Sequence, residues 1–230
     1  MDFLKELKFL PVGRRSLSDP AAQVPLDQIS APHMRKRYEC VHRFATTLTI
    51  GRGQNVRANR LVGISANQVG INDAFVFVCI TEEGEWTDEL RLMVNPRIKK
   101  VWGHDEMIDW WHGCFSTGCL VTIQSLPRFM EVEYYDRNGR LCTWVIDGVK
   151  DGARQLHVAW HEIEHTTGMR HVDHAIKLEL PIYVLLTHER RGFNAAFLAG
   201  RRDWHRTLPP EGWYAMLGNR AWRYLVNSNR

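Results

Sequence analysis

The sequence predicts an α+β fold, and three observations in its 230 residues carry that prediction. Helical periodicity comes first, then a series of β-rich runs, then helical periodicity again. The regular strand–helix alternation of a doubly wound sheet is absent. Two β-rich runs, 129–135 and 141–146, flank Asn138-Gly139, a strong signal for a hairpin. From residue 151 to 167 the apolar spacing becomes helical, with Leu156, Ala159, Trp160 and Ile163 on one side.

The elements follow in chain order. Residues 1–33 read as irregular, because Pro11, Pro20, Pro25 and Pro32 break any long element. The stretch 34–48 reads as a helix on the spacing of Tyr38, Val41, Phe44, Ala45 and Leu48. Residues 51–59 are polar and basic, a loop. The run 74–80 is β-rich and reads as a strand, followed by an acidic loop at 82–89 around Gly84. Two short strands are expected at 90–95 and 97–102, before the hairpin. After the helix at 151–167, a further helix is expected at about 187–199, within a mixed basic tail.

Composition sets the outer limits. At 44% hydrophobic and 24% charged, the chain matches an ordinary globular protein rather than a disordered or fibrous one. The longest apolar runs, 74–80 and 180–186, are far short of the roughly 20 residues a membrane-spanning helix needs. The opening MDFLKELKFLPVG lacks the apolar core of a secretion signal. Five cysteines without a C-x-x-C pair suggest a reducing compartment rather than a disulfide framework or a four-cysteine zinc ribbon. The net charge of +4 is uneven. Residues 187–230 hold eight Arg and three acids, while the other 186 residues hold 22 bases and 23 acids.

The sharpest chemical feature is His161-Glu162-Ile163-Glu164-His165. Residues four apart share a helix face, so His161 and His165 can offer two imidazoles to one divalent metal. Glu162 then lies where it can take a proton from a metal-activated water. Two candidates exist for the third ligand. His171 completes H-E-x-x-H-x-x-G-x-x-H, the metzincin protease spacing, although the region around Met216 makes a poor Met-turn. Cys114, in Gly113-Cys114-Phe115-Ser116, would give a His₂Cys site.

Another segment separates the two. Val62-Gly63-Ile64-Ser65-Ala66-Asn67-Gln68, then Gly113-Cys114-Phe115-Ser116, then His161–His165, resembles the three ordered motifs of the peptide deformylases: G-x-G-[IL]-A-A-x-Q, E-G-C-[LF]-S and H-E-x-x-H. Leu126-Pro127-Arg128 with the following hairpin, Gly168, Asp173 and the early Phe9-Leu10-Pro11-Val12 extend the likeness over about residues 8–176. The resemblance implies antiparallel β-sheets packed around a central helix carrying H-E-x-x-H, with a C-terminal helical extension. It divides the chain into a catalytic domain at 1–176 and a Trp- and Arg-rich extension at 177–230. It also implies Cys114, His161 and His165 as ligands of Fe(II) or Zn(II), with Ni or Co tolerated, and makes His171 an ordinary polar residue. By the same resemblance Glu162 is the proton acceptor, and the Gln68 amide and the Phe115 backbone N–H stabilise the oxyanion. Val62, Gly63 and Ile64 would bind the peptide by strand addition, Gly63 allowing close approach of its backbone. The implied reaction is hydrolysis of the formyl group from N-formyl-methionyl peptides of nascent chains.

The departures from these motifs cluster around the substrate rather than the metal. Leu61 stands for the first Gly, Ser65 for the first Ala and His112 for the Glu before Gly-Cys. His157 replaces an apolar residue one turn before the first ligand. It reads either as a polar wall of the methionine side-chain pocket or as a surface histidine. Cys119 reads as structural, and Cys40, Cys79 and Cys142 read as core. The rival functions are a catalytically weak relative that binds formylated peptides or the ribosome, and a metalloprotease. The basic extension suits ribosome contact; no membrane or DNA partner is expected. The divergent motifs and long tail fit an organelle such as the mitochondrial matrix better than a bacterial cytoplasm.

Overall fold

The computed structural model describes residues 19–47, 61–82, 85–114, 120–169, 182–185 and 214–217. Helix α1 spans Pro32–Thr47. Strands β1 (Gly63–Ser65), β2 (Phe75–Glu82), β3 (Glu85–Gly113), β4 (Leu120–Tyr135) and β5 (Leu141–Asp147) follow. Helix α2 spans Ala153–Thr166, and β6 (Ile182–Leu185) and β7 (Tyr214–Leu217) come last. The strands form one sheet in the order β1-β2-β3-β4-β6-β7, with β5 also paired to β4, and every neighbouring pair is antiparallel. A mostly antiparallel sheet with two helices agrees with the α+β expectation. The helix expected at about 187–199 lies outside the described residues.

The middle of the sheet corrects the sequence reading. The acidic loop and two short strands expected over 82–102 are replaced by one long strand, β3, whose first residue Glu85 pairs with Glu82 of β2. Pro96 lies between the two expected strands and cannot donate to a ladder. It sits instead in the register shift between Val94 and Arg97, so the strand passes through it as a bulge. Asn95 takes a left-handed φ of 50° there. Its side chain both accepts from Val24 N–H and donates to Val24 C=O, each at 2.8 Å, which steadies the conformation. The hairpin is present, but its turn is not a two-residue Asn-Gly loop. It is a turn on Asp136, whose carbonyl accepts from Gly139 N–H, with Gly139 at φ 80°. The Asp136 carboxylate accepts from the N–H groups of Asn138 and Arg140, both at 2.9 Å.

Strand β2 is buried on both faces, as its continuous apolar sequence demands. Phe75 and Phe77 join Tyr38, Val41 and Phe44 in the core beneath α1. Val76 and Val78 point the other way, into the core shared by β3, β4 and Leu156, Ala159 and Ile163 of α2. Gln155 anchors α2 to the end of β2, donating to Cys79 C=O and accepting from Thr81 N–H. Cys40 and Cys79 are buried as expected, whereas Cys142 is half-buried. Cys40, Cys79, Cys114 and Cys142 form no disulfide among the described residues. No helix among the described residues is long and apolar enough to cross a membrane.

Candidate metal centre

Three elements meet at one point. Cys114 follows the last residue of β3, on the inward-facing parity shared with Trp110 and His112. His161 and His165 lie one turn apart on α2. Gln68 sits in a 3₁₀ turn, Ala66–Val69, directly after β1. That turn is tied to the end of α2 by the Asn67 side-chain amide, which donates to His165 C=O.

The ligand atoms of Cys114, His161 and His165 all lie within 4.8 Å of one another, and all three residues are buried. The two imidazole Nε2 atoms are 3.1 Å apart, and Cys114 Sγ is 3.3 Å from His165 Nε2. A tetrahedral ion with bonds of about 2.0–2.3 Å spaces its ligands at roughly 3.3–3.6 Å, so the three atoms converge closely enough to share one ion. Nitrogen with thiolate is a donor set suited to borderline transition metals. The site therefore fits a metal ion.

Gln68 is oriented by its own backbone surroundings. Its Oε1 accepts from Ser65 N–H at 2.8 Å, which turns the amide nitrogen inward. That nitrogen donates to Cys114 Sγ at 3.2 Å and lies 3.2 Å from His165 Nε2. The Glu162 side chain is buried against Gly63. A Cβ on Gly63 would meet Glu162 Cγ at 2.6 Å and Val158 Cγ1 at 2.8 Å. Gly63 thus makes room for this carboxylate, which sequence reasoning had credited to the substrate. Burial pushes the Glu162 carboxyl well above the usual carboxylate range, the Ser65 backbone opposing it. Glu162 Oε2 is buried with no hydrogen-bond partner among the described residues, an orphan that a polar ligand would satisfy.

A pocket opens beside these groups, with a cavity of about 80 Å³ lined by Val62, Gly63, Trp110, His157 and Val158 among others. Ile64 differs from its neighbours: its side chain is fully buried in the core under α1 and only its backbone can face a ligand. His157 is 2% exposed and lines this cavity, so the surface reading of this residue is wrong. Burial pulls its imidazole down to about 3, so it is neutral at ordinary pH. Trp110 was missed as a pocket residue, and His112, read as a departure near the substrate, lines the pocket with it; their two-residue spacing before Cys114 on a strand was the available signal. Phe115, Cys119 and His171 lie outside the described residues.

The comparisons with known proteins bear on the family and the fold. The polypeptide deformylase family profile matches residues 8–180. The peptide deformylase of Agrobacterium fabrum is 28% identical over 118 residues, covering 51% of this chain and 65% of the relative. That of Thermosynechococcus vestitus is 31% identical over 137 residues, covering 59% and 66%. The chain thus spans about two thirds of the length of these relatives. A class I type b peptide deformylase of Acinetobacter baumannii, solved with Met-Ala-Ser bound, shares the fold at a TM-score of 0.58 and 21% identity, covering 73% of this chain and 96% of that one. A probable peptide deformylase of a Synechococcus phage superposes at 0.53 with 27% identity, covering 73% and 98%. The chain belongs to the polypeptide deformylase family.

Proposed function

We propose that the protein is a metal-dependent peptide deformylase, hydrolysing the formyl group from N-formyl-methionyl peptides of nascent chains to release formate. The observation that carries this reading is the buried convergence of Gln68, Cys114, His161 and His165, with the Glu162 carboxylate beside it. Cys114, His161 and His165 hold the ion; their N₂S donor set suits Fe(II) or Zn(II). When bound, the ion supplies Lewis acidity to water and to the scissile carbonyl.

The chain's own groups do the rest. Glu162 takes the proton of the attacking water at its carboxylate and returns it to the leaving amine. The Gln68 amide, held inward by Ser65, donates to the oxygen that gains negative charge, with the Phe115 N–H as the second donor. Because Gln68 is neutral, it stabilises that charge without competing for the proton.

The substrate has a natural track. Strand β1 ends the sheet order and has no strand on its outer side among the described residues. An extended peptide adds there along Val62, Gly63 and Ile64, with its first side chain in the pocket walled by His157. The structural neighbour from A. baumannii, with its bound Met-Ala-Ser, supports a peptide ligand for this site.

Bound metal and formate release from a formyl-Met peptide test the reading together. The unaltered chain should retain about one divalent ion and release formate, and Cys114→Ala should lose both. Retention of metal by Cys114→Ala, or its loss in His171→Ala, would overturn the ligand assignment. The Arg-rich extension, with Trp204, Trp213 and Trp222, also supports contact with the ribosome. Deleting residues 201–230 should then abolish ribosome co-sedimentation; unchanged sedimentation would exclude that role.

A further inference from the structure

Two buried histidines stand just outside the metal centre. His112 lies two residues before Cys114 on β3, and His157 lies one turn before His161 on α2. They are 3% and 2% exposed. His157 Nε2 sits 2.9 Å from Ile108 C=O, and its Nδ1 is hydrogen-bonded to His112 Nε2. Their rings meet edge to face, with centroids 4.7 Å apart.

These contacts fix the protons. A carbonyl only accepts, so His157 carries its proton on Nε2 and donates it to Ile108. Its Nδ1 then has only a lone pair and must accept, so His112 donates from Nε2. Both rings are held in one tautomer, and the chain of donors runs in one direction, from β3 to α2 and back to β3. His157 thus grips β3 at two points four residues apart, Ile108 and His112.

We propose that His112 and His157 are positioning residues: their hydrogen-bonded pair clamps the Cys114 end of β3 to α2 at the separation the three ligand atoms require. The geometry favours this role. The clamp lies two strand residues, about 7 Å, from Cys114 on one arm and one helix turn, about 5.4 Å, from His161 on the other. Arg154 over the Trp110 ring and the Cys114–His165 contact also join the two arms, alongside side-chain packing, which by itself tolerates small sliding. A metal ion requires its ligands within about 0.5 Å of their places. The inference rests on the metal reading above and adds to it the device that presets the ligand spacing.

The test uses the full chain and Co(II) alone, read by its thiolate charge-transfer absorption, with the thermal midpoint of the metal-free protein as the measure of folding. His157→Leu removes both hydrogen bonds at similar volume. His157→Gln can keep them, since its amide both donates and accepts. His157→Leu should weaken Co(II) binding by about 10–100-fold, the range typical of lost outer-shell support, and His157→Gln should restore it to within about threefold. His112→Phe keeps the ring and loses the donor; it should weaken binding as His157→Leu does, and serves if that variant fails to fold. Combining the two should add little to either alone. Equal binding by His157→Leu and the unaltered chain would overturn the clamp, as would a His157→Gln as weak as His157→Leu. Failure of the unaltered chain to bind Co(II) would instead remove the metal reading, and the clamp with it.

Discussion

Helices α1 and α2 are of similar length and cover opposite faces of the same strand, yet they bury different chemistry. Helix α1 presents Met34, Tyr38, Val41, Phe44 and Ala45 to the sheet and leaves Arg35, Lys36, Arg37, Glu39, His42 and Arg43 exposed. Helix α2 is buried almost all round, and eight of its buried residues are polar or charged, among them Arg154, Gln155, His157, His161, Glu162 and His165. Each buried polar group costs about 1–3 kcal/mol unless it finds a partner. Gln155 and His157 meet backbone groups of β2 and β3, and Thr166 bonds Ile163 C=O. His161, His165 and Glu162 converge instead on one point with Cys114 and Gln68. One face of the sheet is organised for stability and the other for chemistry, and the side-chain inventory of the covering helix distinguishes them.

Substitutions on the two faces should therefore separate cleanly. The largest effect is expected from Glu162→Gln, which keeps the shape and removes the proton acceptor. Its kcat for formate release should fall by about 10²–10⁴-fold with bound metal and thermal midpoint little changed. A kcat within tenfold of the unaltered protein would move the base elsewhere. On the α1 face, Phe75→Ala removes a fully buried ring that meets Tyr38 edge-on at 4.9 Å. It should cost about 3–5 kcal/mol in denaturant unfolding while the folded fraction keeps its metal affinity. A parallel loss of metal affinity would show that the two faces are coupled. Gly63→Ala sits on the boundary. Its new Cβ would fall 2.6 Å from Glu162 Cγ, so about 1–3 kcal/mol of stability should be lost together with part of kcat, the metal being retained. Full activity in that variant would mean that Glu162 has room to move.

The helical part of the site was legible from the chain because it is local. The i, i+4 spacing of His161 and His165 needs only a helix to become a pair of ligands. The β-rich runs around residues 136–140 needed only a turn to become a hairpin. The fold was less legible wherever a local signal meets a long-range one. Pro96 cannot donate to a ladder, but the pairing on both sides of it carries β3 through as a bulge. His157 leaves its exposure undecided in sequence, because only the approach of β3 covers it.

The sequence by itself determined the class of fold, the two helices and the His161/His165 pair with the acid beside it, since periodicity and spacing encode these directly; the choice of Cys114 over His171 came only from the family resemblance. Tertiary structure alone decided which groups face one another. It gave Gly63 a reason in Glu162, a residue about a hundred positions away. It turned the Gln68 amide inward through Ser65, and it joined His112 to His157. Such pairings depend on how β1, β3 and α2 dock, and docking is set by the whole buried surface rather than by any local pattern.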